Sequence, residues 1–514
     1  MTAPNEPTPA TTPTRRMPPL TWVTTLYYAE GFPYALVNNV AEVLFKDLGA
    51  SVQAIGLTSA FHLPWNLKFL WAPVLDRHET KRSFILGCEW LVLAITVALA
   101  LLGATMPMAV AAVVFVALAF VAATHDVAID GYYLEALDRD EQSKYVGLRA
   151  AAYRGAVLVA SGPMLVIAGF AGWHAAWWFA VAVAVAMLFF HRHALPDVER
   201  RGVPLRVWLS AMARPRRLIM LAVVAAAIGL GRTSGLLDAP LAWLRERIAE
   251  VPLVGSLGLG EWIGVALLLV AIPTMIFLGR VQAFLRRRNS SYARAFVDFL
   301  EHPQIPRALA LILLFRTGES FLMKMRLPFL RDACGLSLEA YGVINGTLGF
   351  IATMIGTLLG GYLIAKHGLR RWLWPMVFAQ NLPNLLYVLL AAVGDPSQVA
   401  IETIASVVIL EDFGAGLGTS VFMIYIMRCC DPRHKATHMA VLTAVMSIGF
   451  TVAGMGSGYL VARMGFTNFF LLSFVATIPS MLVLPFAPFL DRGRGDEAAH
   501  DAPPRPADGH PTNP

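Results

Sequence analysis

Three ionisable residues stand in the stretch THDVAIDGYY, Thr124–Tyr133, where the chain should lie inside lipid. The run before it, Ala109 to Ala123, carries no charge. His125, Asp126 and Asp130 then arrive together. Asp126 and Asp130 are four apart and share one face of a helix. Ionisable groups inside a membrane helix are costly, so they face a bundle interior or a wet cavity and pair with one another. The chemistry they offer is carriage of a proton or pairing with a charged solute. The alternative is a charge pair that only locks two helices together. His125 and Asp126 point about 100° apart on a helix, so the two do not form one metal or catalytic site.

Other spans place charges at similar depth. At 1.5 Å per residue, Lys68 lies about 12 Å inside the second span, Asp130 and Asp126 about 10 and 16 Å inside the fourth, and Arg154 about 16 Å inside the fifth. Mutual pairing would lower their cost. Glu30 on the first span adds an acid. In the late part of the chain Arg316 and Glu319 are three apart and pair locally. Lys324 and Arg326 follow, and Glu411 and Asp412 lie mid-span. Asn345, Gln380, Asn381 and Asn384 supply hydrogen-bonding groups that can bind a solute or join helices. A buried carboxyl without a base favours its protonated form, and beside a base it stays ionised. Glu30, Asp126, Asp130, Glu319 and Glu411 therefore all remain candidates for a coupling proton. No zinc spacing, phosphate loop, nucleophile elbow or catalytic triad is present, and AIDGYY does not continue into the spaced aspartates of a phosphoalcohol transferase. No metal, cofactor or enzymatic activity is expected.

These residues need a polytopic all-α scaffold. Of the 514 residues 57% are hydrophobic and 15% charged, whereas a soluble protein carries about 25% charged residues. Hydropathy predicts fourteen transmembrane helices. Six come first: Trp22–Phe45, Val52–Leu75, Ser83–Leu102, Met108–Leu137, Ser143–Gly169 and Trp173–Phe190. Two more, Leu218–Leu237 and Trp262–Leu285, are inserted among basic connectors, with a short interfacial helix at Ala239–Val251 between them. Six close the chain: Ala308–Leu330, Leu338–Ala365, Trp372–Val393, Val399–Met427, Ala436–Arg463 and Asn468–Phe489. The expected division is a disordered tail at 1–19, a six-helix bundle at 20–190, linkers with the extra helices at 191–307, a second bundle at 308–490 and a disordered tail at 491–514.

The net charge of +7 sits in short connectors such as DRHETKR, KHGLRR and RCCDPRHK, while GATMPM, FAGWHAA and GDPSQ carry no Lys or Arg. That asymmetry places the basic side and both termini in the cytoplasm and points to no nucleic acid. The four cysteines form neither a metal site nor a disulfide framework.

A weak internal repeat links WAPVLDRHETKR to GGYLIAKHGLRR. The late copy, with Gly360, Gly361, Lys366, Arg370 and Arg371, resembles the major facilitator loop motif between helices two and three. The early copy keeps Asp76, Arg77 and Arg82. Both imply a latch that gates the cytoplasmic side.

The stretches AIGLTSAFHLPWNLKFLWAPVLDR, ATHDVAIDGYY, YRGAVLVASG, LFRTGESF and INGTLGFIATMIGTLLGG, with the helix around Glu411, resemble the muropeptide permease (AmpG) family. That family is grouped with acetyl-CoA transporters inside the major facilitator superfamily. The resemblance spans both six-helix groups. It implies a proton-driven inner-membrane importer of anhydro-muropeptides, working by alternating access, with functional positions at Lys68, Asp126, Asp130, Arg154, Arg316, Glu319 and Glu411. The expected partners are an anionic small-molecule solute and membrane lipid, for a monomer. The chain departs from the family at His125 (usually Gln), Tyr133 (usually Arg), Glu30 (usually small) and Gly346 (often Lys). These changes alter the cavity charge, so another organic anion is the alternative solute, ahead of a membrane enzyme.

Overall fold

The computed structural model describes residues 17–68, 71–102, 105–196, 204, 304–430 and 435–490. Most of both tails, the basic connectors, the two inserted spans and the short interfacial helix lie outside the described residues, as do the side chains of Asp76 and Arg77.

Among the described residues the chain is helical, because backbone polar groups in lipid must be satisfied within their own segment. The first stretch is α1 (Pro19–Ala35), a π turn (Leu36–Val40) and α2 (Ala41–Asp47). The second is broken into α3 (Val52–Leu57), a 3₁₀ turn, α4 (Leu63–Leu67) and α5 (Ala72–Arg77). Pro64 and Pro73 stand in the first turns of α4 and α5, where a missing N–H costs nothing. Then come α6 (Lys81–Leu102), α7 (Met108–Ala136), α8 (Arg139–Ser161) and α9 (Pro163–Ala194). A capping box between Asp138 and Glu141 sets the start of α8.

The late set comprises α10 (Ile305–Phe315), α11 (Thr317–Pro328), α12 (Leu338–Tyr341), α13 (Phe350–His367), α14 (Leu369–Asn381), α15 (Asn384–Ala392), α16 (Ile401–Cys429), α17 (Lys435–Val475) and α18 (Ile478–Val483). Two continuous stretches, residues 147–194 and 445–486, are apolar and long enough to cross a membrane twice. Each is broken at a glycine, Gly172 (φ 81°, ψ 168°) and Gly465 (φ 75°, ψ 168°), in a conformation closed to L side chains.

Positive φ also marks the turns at Gly49, Glu79, Gly335 and Gly368. With Phe489 these make seven positive-φ residues among those described, and six of them fall into three pairs at similar separation: Gly49 with Gly335, Glu79 with Gly368, and Gly172 with Gly465.

The chain divides into two compact units. One holds Met1–Ser51, Thr58–Gly258 and Ser337–Thr347, and the other Val52–Leu57, Leu259–Leu336 and Leu348–Pro514. The first unit has an aromatic core in which Trp22 meets Tyr132 edge-on at 5.4 Å and Tyr27 meets Tyr133 at 5.6 Å. In the second, Phe315 stacks on Phe422 at 4.8 Å amid Leu, Ile and Met side chains. Large apolar side chains stand outside, among them Leu101, Val113 and Phe170. Such a surface suits lipid rather than water.

Candidate functional site

In the first unit the two aspartates of α7 take different partners. Lys68, just past α4, donates its Nζ to Asp126 Oδ2. Asp130 Oδ1 accepts from the Tyr27 hydroxyl at 2.9 Å and from Arg149 Nη2 at 3.0 Å. The Arg149 guanidinium lies 4.4 Å from the Tyr27 ring centroid and 5.2 Å from that of Tyr133. Cation–π contact thus holds the base against α1 and α7. Tyr133 also donates its hydroxyl to the Gln142 carbonyl at 2.5 Å.

Arg154, the base expected level with the acids, makes no ion pair or hydrogen bond among the described residues. Arg149 takes that place. The two lie five residues apart on α8, about 140° around the axis, so they cannot face the same acid. Arg154 shares a face with Ser161, two turns on, where Ser161 accepts from Asn39 Nδ2 at 2.7 Å. Glu30 of α1 interacts with Asp126 and Asp130, yet its Oε2 is buried with no hydrogen-bond partner. Glu30 has no basic partner at ion-pair distance among the described residues.

In the second unit Arg316 occupies the break between α10 and α11 and grips Glu319 through both nitrogens, with Nε to Oε2 at 3.0 Å. This is the local pair expected from their spacing. From α14, Gln380 Nε2 donates to Glu319 Oε2 at 2.6 Å. Gly418 of α16 makes room for that amide, since a Cβ there would lie 1.7 Å from Gln380 Oε1. Deeper along α11, Arg326 Nη1 donates to Glu411 Oε2 at 2.7 Å and to Asp412 Oδ1 at 3.0 Å. All three are nearly fully buried. Lys324 is also buried on α11. Asn384 is buried at the start of α15 with neither amide atom satisfied. Asn345 falls in the other unit, where its Nδ2 donates to the Tyr341 hydroxyl at 3.0 Å.

The loop residues read as a latch are placed in part. Arg82 donates to the carbonyls of Leu195 and Arg192 at 3.2 and 3.0 Å, which caps the end of α9. Lys366, Arg370 and Arg371 are exposed around Gly368.

Depth along a helix was readable in the sequence, but partners on other helices were not. Arg149 sits in a connector that reads as topology signal. Glu89 is a lone acid in the apolar run of α6. It accepts a hydrogen bond from His191 of α9 and has His125 Nε2 at 3.6 Å. A single charge inside an apolar span was the signal that could have found it.

The sequence matches the Major Facilitator Superfamily over residues 24–298 and 308–509. It is 24% identical over 465 residues to the anhydromuropeptide permease of Escherichia coli (strain K12), covering 89% of this chain and 77% of that one. The fold is similar to a crystal structure of a POT family transporter in complex with a thioalcohol-conjugated peptide, at TM-score 0.63 and 13% identity over 92% of this chain and 96% of that one. It is also similar to a bacterial homologue of the human lysosomal transporter Spinster in an inward-facing, unoccupied conformation, at TM-score 0.56 and 14% identity over 91% and 96% of the two chains. The charged residues that interrupt its spans thus sit in a transporter scaffold: the chain belongs to the Major Facilitator Superfamily, as a multi-pass transporter related to anhydromuropeptide permease.

Proposed function

We propose that this transporter is a proton-coupled importer of anhydro-muropeptides or a closely related anionic amphipathic solute. One observation carries the reading. Of the clustered acids Glu30, Asp126 and Asp130, the two aspartates each meet a base and Glu30 has none at ion-pair distance among the described residues; on α8, Arg149 meets an acid and Arg154 does not. An acid without a base can take up and release a proton, and a base without an acid can hold a carboxylate. Arg154 shares α8 with the paired Arg149, and Glu30 interacts with Asp126 and Asp130, so binding and coupling can exchange partners there.

Glu30→Gln should abolish solute accumulation driven by an inward proton gradient while sparing counterflow of labelled anhydro-muropeptide in proteoliposomes. Gradient-driven accumulation at the wild-type level would remove Glu30 from the coupling. Arg154→Gln should weaken counterflow itself, because it removes the anchor for the solute.

A second reading, transport of another organic anion, has its own support. Gly346 packs so closely on Ser161 that a Cβ would lie 1.7 Å from its carbonyl oxygen. The lysine often found there in the muropeptide permeases does not fit this backbone. Counterflow with anhydro-muropeptide against other organic anions separates the two solutes.

The proposed setting is the inner membrane, with fourteen helices, a monomer and both termini cytoplasmic. Cysteines placed at Arg206 and Arg288 should resist an impermeant thiol reagent added to intact cells. Ready labelling at both positions would reverse the topology.

A further inference from the structure

A second set of buried charges lies behind α7, on the side away from Asp126. Glu89 of α6, His125 of α7 and His191 of α9 meet there, 5%, 1% and 0% exposed. His191 Nδ1 hydrogen-bonds to Glu89 Oε1, and His125 Nε2 lies 3.6 Å from the same oxygen. Glu89 Oε2, His191 Nε2 and both His125 nitrogens have no hydrogen-bond partner. A narrow cavity of about 20 Å³ opens beside Glu89 and His125, walled by Ala29, Phe32, Pro33 and Met187.

Among the described residues no lysine or arginine stands at ion-pair distance from this group. The side chains that α1 and α9 turn to the cavity are apolar. On α6 the further titratable neighbour is Cys88. Glu30 shares α1 with the cavity wall but interacts with Asp126 and Asp130.

We propose that Glu89, His125 and His191 form an intramembrane proton-binding site, separate from the solute site, that holds one proton and one water. Charge balance decides the proton count. With Glu89 ionised and both imidazoles neutral, the group carries a net negative charge away from water. With both imidazoles charged it carries a net positive one. One bound proton makes it neutral, and neutrality is what a low-dielectric interior favours. The hydrogen-bonded His191 holds that proton against Glu89 Oε1. His125 is the second position, within reach through a small shift. A cavity of this size accommodates one water, which needs two or more polar partners. Glu89 Oε2 and His125 supply them. His125 is the residue before Asp126 on α7, so the proton's position bears on the Lys68–Asp126 pair through adjoining backbone.

The test does not depend on the solute. The full chain is labelled with ¹⁵N-histidine, placed in lipid nanodiscs and observed by NMR at pH 7.5. Difference spectra against His125→Gln and His191→Gln assign the two rings. One imidazolium shared between them is expected in the wild type, and two neutral rings in Glu89→Gln. Two neutral rings in the wild type would overturn the proposal, and so would an imidazolium that survives Glu89→Gln. Should Glu89→Gln not fold, the wild-type spectrum decides alone. Glu89→Gln/His191→Gln, which keeps an amide hydrogen bond in place, then serves as the second variant, with a neutral His125 expected.

Discussion

Arg326→Met should leave almost no monodisperse protein after solubilisation. The guanidinium is the cation at ion-pair distance from both Glu411 and Asp412, at 2.7 and 3.0 Å, and all three groups are buried. Without it two adjacent carboxyls remain in an apolar interior. Breaking one buried pair in a soluble protein costs about 3–5 kcal/mol, and here one cation serves two carboxyl groups. A typical margin of about 5–15 kcal/mol leaves little after such a loss. Arg326→Lys keeps the charge but not the fork, so it should recover part of the yield. Arg326→Met combined with Glu411→Gln and Asp412→Asn should restore folding and remain inactive. Size-exclusion profiles and Tm measure the first effect, and counterflow the second. A monodisperse Arg326→Met protein with the wild-type Tm would show that the triad does not hold the second unit together.

Asp126→Asn and Asp130→Asn should both lose transport, but for different reasons. Asp126→Asn strands Lys68, and Asp130→Asn strands Arg149 while keeping an acceptor for Tyr27. A hydrogen bond to a charged group contributes about 1.5–3 kcal/mol. Folding should therefore return in Asp126→Asn/Lys68→Met and in Asp130→Asn/Arg149→Met. Crossed combinations should not recover, because Lys68 and Arg149 come from different elements and each meets a different acid of α7. Coupling read from the Tm values of these cycles should be about 0.5–3 kcal/mol within each pair and near zero across them. Rescue of Asp126→Asn by Arg149→Met would merge the pairs into one network. Wild-type uptake by both single variants would move the functional centre elsewhere.

The sequence carried much of this arrangement. Apolar runs located the helices, so α7 begins at Met108 as hydropathy predicts. The local pair Arg316–Glu319 followed from a spacing of three. The level of Lys68 with Asp126 followed from rise per residue. What depth cannot supply is azimuth against a neighbouring helix. Arg149 and Arg154 differ by about 7.5 Å along α8, yet the rotation between them sends one to Asp130 and leaves the other unpaired. Glu89, His125 and His191 come from three helices more than thirty residues apart in sequence. Neither composition nor periodicity brings such residues together. Tertiary packing does, and it also sets Gln380 on Glu319 through the absence of a side chain at Gly418.

The paired left-handed turns have a consequence for the history of the chain. Gly49 and Gly335, Glu79 and Gly368, and Gly172 and Gly465 recur at nearly constant separation. Side chains around them have diverged so far that FAGWHAA and ARMGFTN share little beyond the glycine. Lipid-facing positions accept almost any apolar residue and lose their ancestry fast. A turn that needs positive φ accepts few residues and keeps it. Glu79 holds φ 50° with a side chain where its counterpart is glycine. Backbone conformation is shared there while sequence is not, so the repeat of the two halves is written in the turns rather than in the helices.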